Sequence, residues 1–492
     1  MERRSAFTLL ALIIVVFVLR LVVAFSIDGL TYSSYFDVRP AQTIATQGYP
    51  EWHDVYSYGG REIRFVPLYH YLVALPSFII DVESSAKIIS NLLYALIPLF
   101  VFLIARVLTQ DEESSLVAAG VSAVLPILFT PNAAGPESLF FVLVLVCIYM
   151  FMRSEKPNYL YYYGLFFLLL NFTSSLAILL VVGFVVYLAL TAVEGKRIKR
   201  EQVDLIIFSF FFYVWLQLIL YKDHFLNKGI AFVSQNVPSE ALSNYFPSIS
   251  ITSAILLIGI VPFLAGIYVV YKSLFELKSR RLMLLISLVV STTLLAWLKF
   301  IPFELSLSFF GLILSILFGV FYKDLVSFFR KTKISSRHLW FKIVILVILV
   351  VSMVPLSISS AVTQSIPTRE ERDAFEWLSH NSSPGEGVLA LVEEGHLVSY
   401  VSKRSNMMDE EFLLAEDVDT RFADLQTLFT TPFQSSALEL LEKYNIKYIV
   451  LTPRAKDHYE IHDLPYRTTD CFERIYKVET KIYRVTCLLR PQ

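Results

Sequence analysis

The chain has 492 residues, is 55% hydrophobic and only 17% charged, and carries 40 Phe and 27 Tyr. A soluble domain of that content would expose large apolar patches, so the composition excludes an ordinary soluble fold and defines a polytopic membrane protein. The net charge of −1 gives no basis for nucleic-acid binding.

The first apolar run, Ala6–Ser26, is too long for the hydrophobic region of a signal peptide and contains Arg20. It reads as an uncleaved span, with Met1-Glu-Arg-Arg4 holding the N-terminus on the cytoplasmic side. Residues 27–81 then form a first extracytoplasmic loop. Within it, residues 66–80 (Val-Pro-Leu-Tyr-His-Tyr-Leu-Val-Ala-Leu-Pro-Ser-Phe-Ile-Ile) are short for a span, open at Pro67 and include His70. This stretch reads as a juxtamembrane helix in the interface, because counting it as a span inverts every basic loop after it. Further spans are expected at Lys87–Val107, Ser114–Thr130, Glu137–Met152, Tyr159–Leu170, Ser174–Val193, Val203–Tyr221, Ile251–Tyr271, Leu282–Leu298, Leu305–Phe321 and Phe341–Ser360. The total is about eleven α-helical spans. Basic loops at 194–200, 272–281 and 322–342 then all face the cytoplasm, as the positive-inside rule requires. The loop 106–113 is acidic and does not follow it. Residues 222–250 form an extracytoplasmic loop too long for a mere connector.

Beyond Ser360 charged residues occur throughout. A helix-like start at Arg369–Leu378, a turn at Ser383-Pro-Gly385 and strand-like runs at Val388–Val392 and Tyr448–Leu451 indicate a small extracytoplasmic α/β domain. The division is a transmembrane domain over 1–361 and an α/β domain over 362–492. Cys471 and Cys487 flank a hairpin of Phe472–Val478 and Lys481–Thr486. With its turn at Glu479 the two thiols face each other, so a disulfide is sterically open to them.

The residues with chemical capacity gather on the extracytoplasmic side. Asp37, in Tyr35-Phe-Asp-Val-Arg39, lies about a dozen residues past the first span, within reach of the interface. Its loop also holds His53, Asp54 and Arg64. Glu137 opens a span directly after Pro131-Asn-Ala-Ala-Gly-Pro136, where a carboxylate caps a helix or, with Asp37, binds a divalent cation. Lys299 ends a span in Ala296-Trp-Leu-Lys-Phe-Ile-Pro-Phe-Glu304; it either snorkels to the interface or binds a lipid phosphate.

The order of these parts is a span, an acidic loop, a Pro-Leu-Tyr helix, a span, an acid opening a further span, and a terminal α/β domain. It resembles the GT-C superfamily of integral-membrane glycosyltransferases, most closely the archaeal and bacterial single-chain oligosaccharyltransferase catalytic subunits, and the likeness runs through most of the chain. The resemblance implies a catalytic acid at Asp37. It matches Ala134-Gly-Pro-Glu137 to a motif that carries two acids, Phe232-Val-Ser-Gln235 to a Ser-Val-Ser-Glu-like motif, and Lys299 to the carrier-phosphate ligand. This chain departs from that group in having one acid at Glu137, Gln235 where Glu is usual, and Leu391-Val-Glu-Glu-Gly-His396 in place of Trp-Trp-Asp-Tyr-Gly. Transfer to Asn is therefore not the expected activity.

The expectation is a membrane glycosyltransferase, inverting, that moves a sugar from a polyprenyl-phosphate (dolichyl-phosphate-type) donor to a glycan, lipid or protein acceptor at the outer or lumenal face of the bilayer, with the cell membrane as its setting. Asp37 serves as base, Glu137 as its partner, and Lys299 binds phosphate. His53, Asp54, Arg64, His70 and Gln235 are further substrate contacts. Any metal, held by Asp37 and Glu137, is Mg2+ or Mn2+. A non-catalytic binder of lipid-linked sugars and a lipid-linked-glycan transporter are the alternatives. Of these, the transporter should show paired repeats and broken helices.

Overall fold

The structure is a computed structural model that describes residues 3–229, 237–238, 241, 250–277, 279–331, 338–467 and 470–487. The apolar runs expected to cross the bilayer are helical, Ser114–Thr130 only as far as Ala123, and the chain is a multi-pass membrane protein. Among the described residues seven helices are long and apolar enough to span: Arg3–Ser26, Val82–Thr109, Ser175–Val193, Arg200–Asn227, Arg280–Trp297, Phe303–Arg330 and Leu339–Val362. The pair Ile251–Ile258 and Ile260–Glu276, bent by 92°, is a broken span or a re-entrant loop. The bend falls at Gly259, where φ is 94° and an added Cβ would lie 3.3 Å from Met353 Cε. Only glycine takes that backbone without strain.

Three expected spans are shorter than a bilayer needs: Glu112–Ala123, Glu137–Met152 and Pro157–Asn171. Glu137–Met152 is apolar on all sides and almost wholly buried, so it packs against protein all round and never meets lipid. The expected span Ser114–Thr130 stops at Ala123 because Pro126 removes a backbone donor and disfavours helix at the residue before it. Residues 124–136 are irregular apart from a 3-10 turn, Pro126–Leu128. Two expected loops are shortened by helix extensions. Phe303–Arg330 runs about two turns past its expected end, helped by the 3.0 Å pair of Lys272 with Asp324. The helix Arg200–Lys228 likewise takes in the first residues of the 222–250 loop.

The juxtamembrane stretch folds as a helix, Leu68–Ala74, and a 3-10 turn, Pro76–Phe78. A second short helix, Ser34–Gln47, precedes it, and a small antiparallel ribbon pairs β1 (His53–Asp54) with β2 (Arg61–Glu62). The C-terminal domain opens with helix Arg369–Asn381, started by a capping box of Thr368 and Glu371. Its strands are β3 (Gly387–Leu389), β4 (Ser405–Asn406), β5 (Ile446–Leu451), β6 (Phe472–Lys477) and β7 (Lys481–Val485), in the order β4-β3-β5-β7-β6. The β3 pairs are parallel and the β7 pairs antiparallel. A disulfide joins Cys471 to Cys487 across the last hairpin, with Cα atoms 4.8 Å apart.

The domain sits on one end of the bundle through polar contacts. Tyr32 Oη donates to Glu371 at 2.8 Å, Arg372 pairs with Asp28 at 3.2 Å and with Glu83 at 3.6 Å, and Arg61 pairs with Asp409 at 3.2 Å.

Candidate active site

Asp37 stands in the first turn of helix Ser34–Gln47. That helix is fastened to the irregular 124–136 segment: Ala134 N donates to Ser34 Oγ at 2.8 Å, and Thr31 N to Asn132 O at 3.2 Å. Glu137 is the first helical residue after Pro136. The two acids converge on Gly135. A Cβ built there would lie 2.3 Å from Glu137 Oε2 and 3.2 Å from Asp37 Oδ2. A Cβ there cannot coexist with this position of the Glu137 carboxylate, which must shift to admit it. Gly135→Ala is expected to keep the fold, because the clashing atom ends a flexible side chain. Displacing Glu137 should cost ~10–100-fold in activity; transfer rate and melting temperature measured on one preparation check this.

His70, on Leu68–Ala74, reaches Asp37 from the other side, with Nε2 to Oδ1 at 3.0 Å. Oδ1 is thereby committed, leaving Oδ2 toward Gly135 and Glu137. Burial disfavours charge on both members: it pushes the Asp37 carboxyl up to about 8 and the His70 imidazole down to about 3. Neutral imidazole donates from Nε2 once Asp37 ionises. A base with a raised pKa works above that value. If Asp37 is the base, kcat/KM should fall about tenfold per pH unit below pH ~8 in the ligand-free enzyme. A flat profile from pH 6 to 9 contradicts that role.

The C-terminal domain contributes a turn to the same region. Asp409 is fully buried; it pairs with Arg61, accepts from Glu411 N at 3.0 Å and from Asn406 Nδ2 at 3.1 Å, and lies 3.7 Å from His396. Tyr58 Oη donates to its carbonyl, and Arg61 Nη1 donates to the Glu411 carbonyl. The Arg61 guanidinium holds the Asp409 carboxyl down at about 2. Glu411 itself is solvent-accessible, yet burial, together with the charges of Asp409, Asp37 and Glu137, outweighs Arg61 and pushes its carboxyl up to about 7. Glu410 is raised to about 7 by burial and by Glu411, Asp409 and Glu304.

The other residues singled out in the sequence scatter. His53 is exposed on β1. Asp54 is buried against Arg39, and its carboxylate also accepts from Tyr56 N at 3.0 Å. Arg64 pairs with Glu62 on the surface at 3.4 Å. Lys299 is exposed in a left-handed turn, φ 59°, just past Trp297. No described hydrogen bond or ion pair joins it to Asp37 or Glu137. Gln235 lies outside the described residues. Glu411 and the Arg61–Asp409 pair were not singled out in the sequence. Nothing local marks them, since Arg61 and Asp409 are 348 residues apart.

Two cavities open near this level. One, about 340 Å³, is mainly apolar; Tyr213, Leu218, Phe225, Phe300, Ile301 and Leu413 are in its wall and Lys222 is at its edge. It adjoins Lys299 through Phe300 and the Glu411 turn through Leu413, and Tyr221 in its wall donates to the Arg64 carbonyl at 3.2 Å. The other, about 780 Å³, is lined by Phe25, Gln42, Thr46, Glu83, Lys87 and Arg372 among others. Among the described residues no group of three or more His, Cys, Asp or Glu could hold a metal ion. Asp37 and Glu137 offer two carboxylates at Gly135, the number a Mg2+ held mainly by waters and substrate phosphate takes; no chemical step is assigned to a metal.

The fold is like that of solved structures of an archaeal oligosaccharyltransferase and of ArnT. The archaeal oligosaccharyltransferase AglB from Archaeoglobus fulgidus, in complex with an inhibitory peptide and a dolichol-phosphate, superposes with a TM-score of 0.69 at 14% identity over 91% of this chain and 70% of that one. The same enzyme in complex with Zn and sulfate gives 0.64 at 14% identity over 94% and 71%. ArnT from Cupriavidus metallidurans, bound to undecaprenyl phosphate, gives 0.55 at 12% identity over 100% of both chains. No family model and no curated protein matches the sequence.

Proposed function

We propose that the protein is a glycosyltransferase that takes its sugar from a polyprenyl-phosphate carrier, at the membrane face bearing the C-terminal domain, which the basic loops put outside the cytoplasm. The observation that carries this reading is the meeting of Asp37 and Glu137 at Gly135, with the Asp37 helix packed on that domain through Phe36 and His396. Solved structures of the same fold hold dolichol-phosphate or undecaprenyl phosphate.

The prenyl chain lies in the 340 Å³ cavity. Its phosphate is met at the rim by Lys299 and Lys222. Asp37 Oδ2 takes the proton of the acceptor hydroxyl as that oxygen attacks the anomeric carbon. The bond from that carbon to the phosphate oxygen breaks, and the carrier leaves as polyprenyl phosphate. Attack opposite the leaving group inverts the configuration. His70 donates to Oδ1 and so fixes the carboxylate, while Glu137 orients the acceptor. Glu411 faces the acceptor from the C-terminal domain.

A transporter reading has the break at Gly259 in its favour. That break has no second copy among the described residues, whereas inverted-repeat transporters carry such breaks in pairs.

The test incubates purified protein with radiolabelled polyprenyl-phosphate hexoses and candidate acceptors. Sugar transferred, or released to water, with loss of the lipid-linked form supports the reading. Donor that is bound but never consumed, across the common hexoses, contradicts it.

A further inference from the structure

Arg20 takes no part in the reaction as proposed, yet it is 2% exposed inside the first span. Burying a guanidinium at that depth is expensive, and the cost falls only when its donors are met. Among the described residues no carboxylate is paired with it. Nε donates to Asn91 Oδ1 at 2.9 Å and Nη1 to the Leu128 carbonyl at 2.9 Å, with the ring of Tyr94 4.6 Å and that of Phe129 5.2 Å from the guanidinium carbon. Asn91 Nδ2 in turn donates to the Lys87 and Pro131 carbonyls, both at 2.8 Å.

Leu128 and Pro131 belong to the irregular 124–136 segment. A helix there would satisfy its own backbone groups; this segment cannot, and inside an apolar bundle each orphan is costly. The outstanding bonds run to distant elements. Val124 O accepts from Ser357 Oγ at 2.7 Å, Leu128 O from Arg20, Pro131 O from Asn91 and Asn132 O from Thr31 N. Ala134 N donates to Ser34 Oγ, three residues before Asp37. The segment ends in Gly135-Pro136-Glu137.

We propose that Arg20 and Asn91 are the positioning residues of the reaction site: they grip the 124–136 segment by its Leu128 and Pro131 carbonyls and so set the Glu137 carboxyl against that of Asp37. The kinetic part of this rests on the transferase reading; the geometric part does not.

Arg20→Met removes both grips on the guanidinium side and endangers folding, so the informative variant is Asn91→Ala, which frees the Pro131 carbonyl and Arg20 Nε but keeps the Arg20–Leu128 bond; a melting temperature taken on the same preparation separates loss of fold from loss of rate. Its kcat should fall ~10–100-fold, as for a misplacement of about 1 Å, with donor KM within about threefold. Against a Glu137→Gln background the same change should cost less than about twofold, because residues acting through one another are not additive. Equal losses in both backgrounds, or an unchanged kcat, overturn the proposal. An antibody-fragment-bound cryo-EM structure of Asn91→Ala gives a readout independent of activity. Movement of Gly135–Glu137 away from Asp37 supports the proposal, and a segment left in place overturns it. A wild type inactive on every donor overturns the transferase reading and leaves that structural comparison decisive.

Discussion

Asp37→Asn is expected to abolish transfer, lowering kcat by ~10³-fold within the 10²–10⁴ range that a positioned general base supplies. That is about 4 kcal/mol of transition-state stabilisation at 1.36 kcal/mol per decade. The amide keeps the size of the carboxyl and still accepts a hydrogen bond from His70 Nε2, so folding and donor binding should survive. The loss should appear in kcat, with KM for the donor little changed, because the proton leaves the acceptor only in the transition state. Retained function after this substitution would favour a protein that binds lipid-linked sugar without turning it over.

The second large effect is on stability. Arg61→Met leaves Asp409 charged, fully buried and without its main counter-ion, and breaking such a pair costs about 3–5 kcal/mol. The Asp409 carboxyl is held at about 2, below its ordinary value. Its contribution is therefore present above the unfolded carboxylate pKa and is lost as pH falls from ~4 toward 2. Thermal melts in detergent at neutral pH should show a clearly lowered midpoint for Arg61→Met. The double variant Arg61→Met with Asp409→Leu should recover most of it, since no charge is then left unpaired. A single variant as stable as the parent would show that this pair does not secure the domain junction.

Much of the fold could be read from residue pattern. The apolar runs announce their helices, the charged run Arg369–Leu378 marks the first helix of the C-terminal domain, and the alternating hairpin around Glu479 is found with its disulfide. What could not be read was length against burial. Glu137–Met152 resembles a lipid-facing span in composition, but its all-round apolarity is that of a helix enclosed by protein. The end at Ala123 depended on Pro126, overlooked inside an apolar run.

The site was legible as residue types and not as partners. Asp37 and Glu137 stood out because carboxylates at the ends of apolar segments need a reason. Their meeting at Gly135 depends on how an irregular segment folds against a short helix 100 residues earlier in the chain. His70 carried a weak signal as the histidine of an interfacial helix. Asp54 looked equally chemical in sequence, yet Arg39 occupies its carboxylate. Lys299 is exposed just past the end of its helix, next to Phe300 in a cavity wall.

The most direct measurement is a structure of the protein with a polyprenyl-phosphate sugar bound. The account predicts the isoprenoid in the cavity walled by Tyr213, Phe225 and Leu413, and the anomeric carbon beside Asp37 Oδ2. A headgroup lodged at the other end of the bundle, or one that leaves Asp37 and Glu137 untouched, would contradict it.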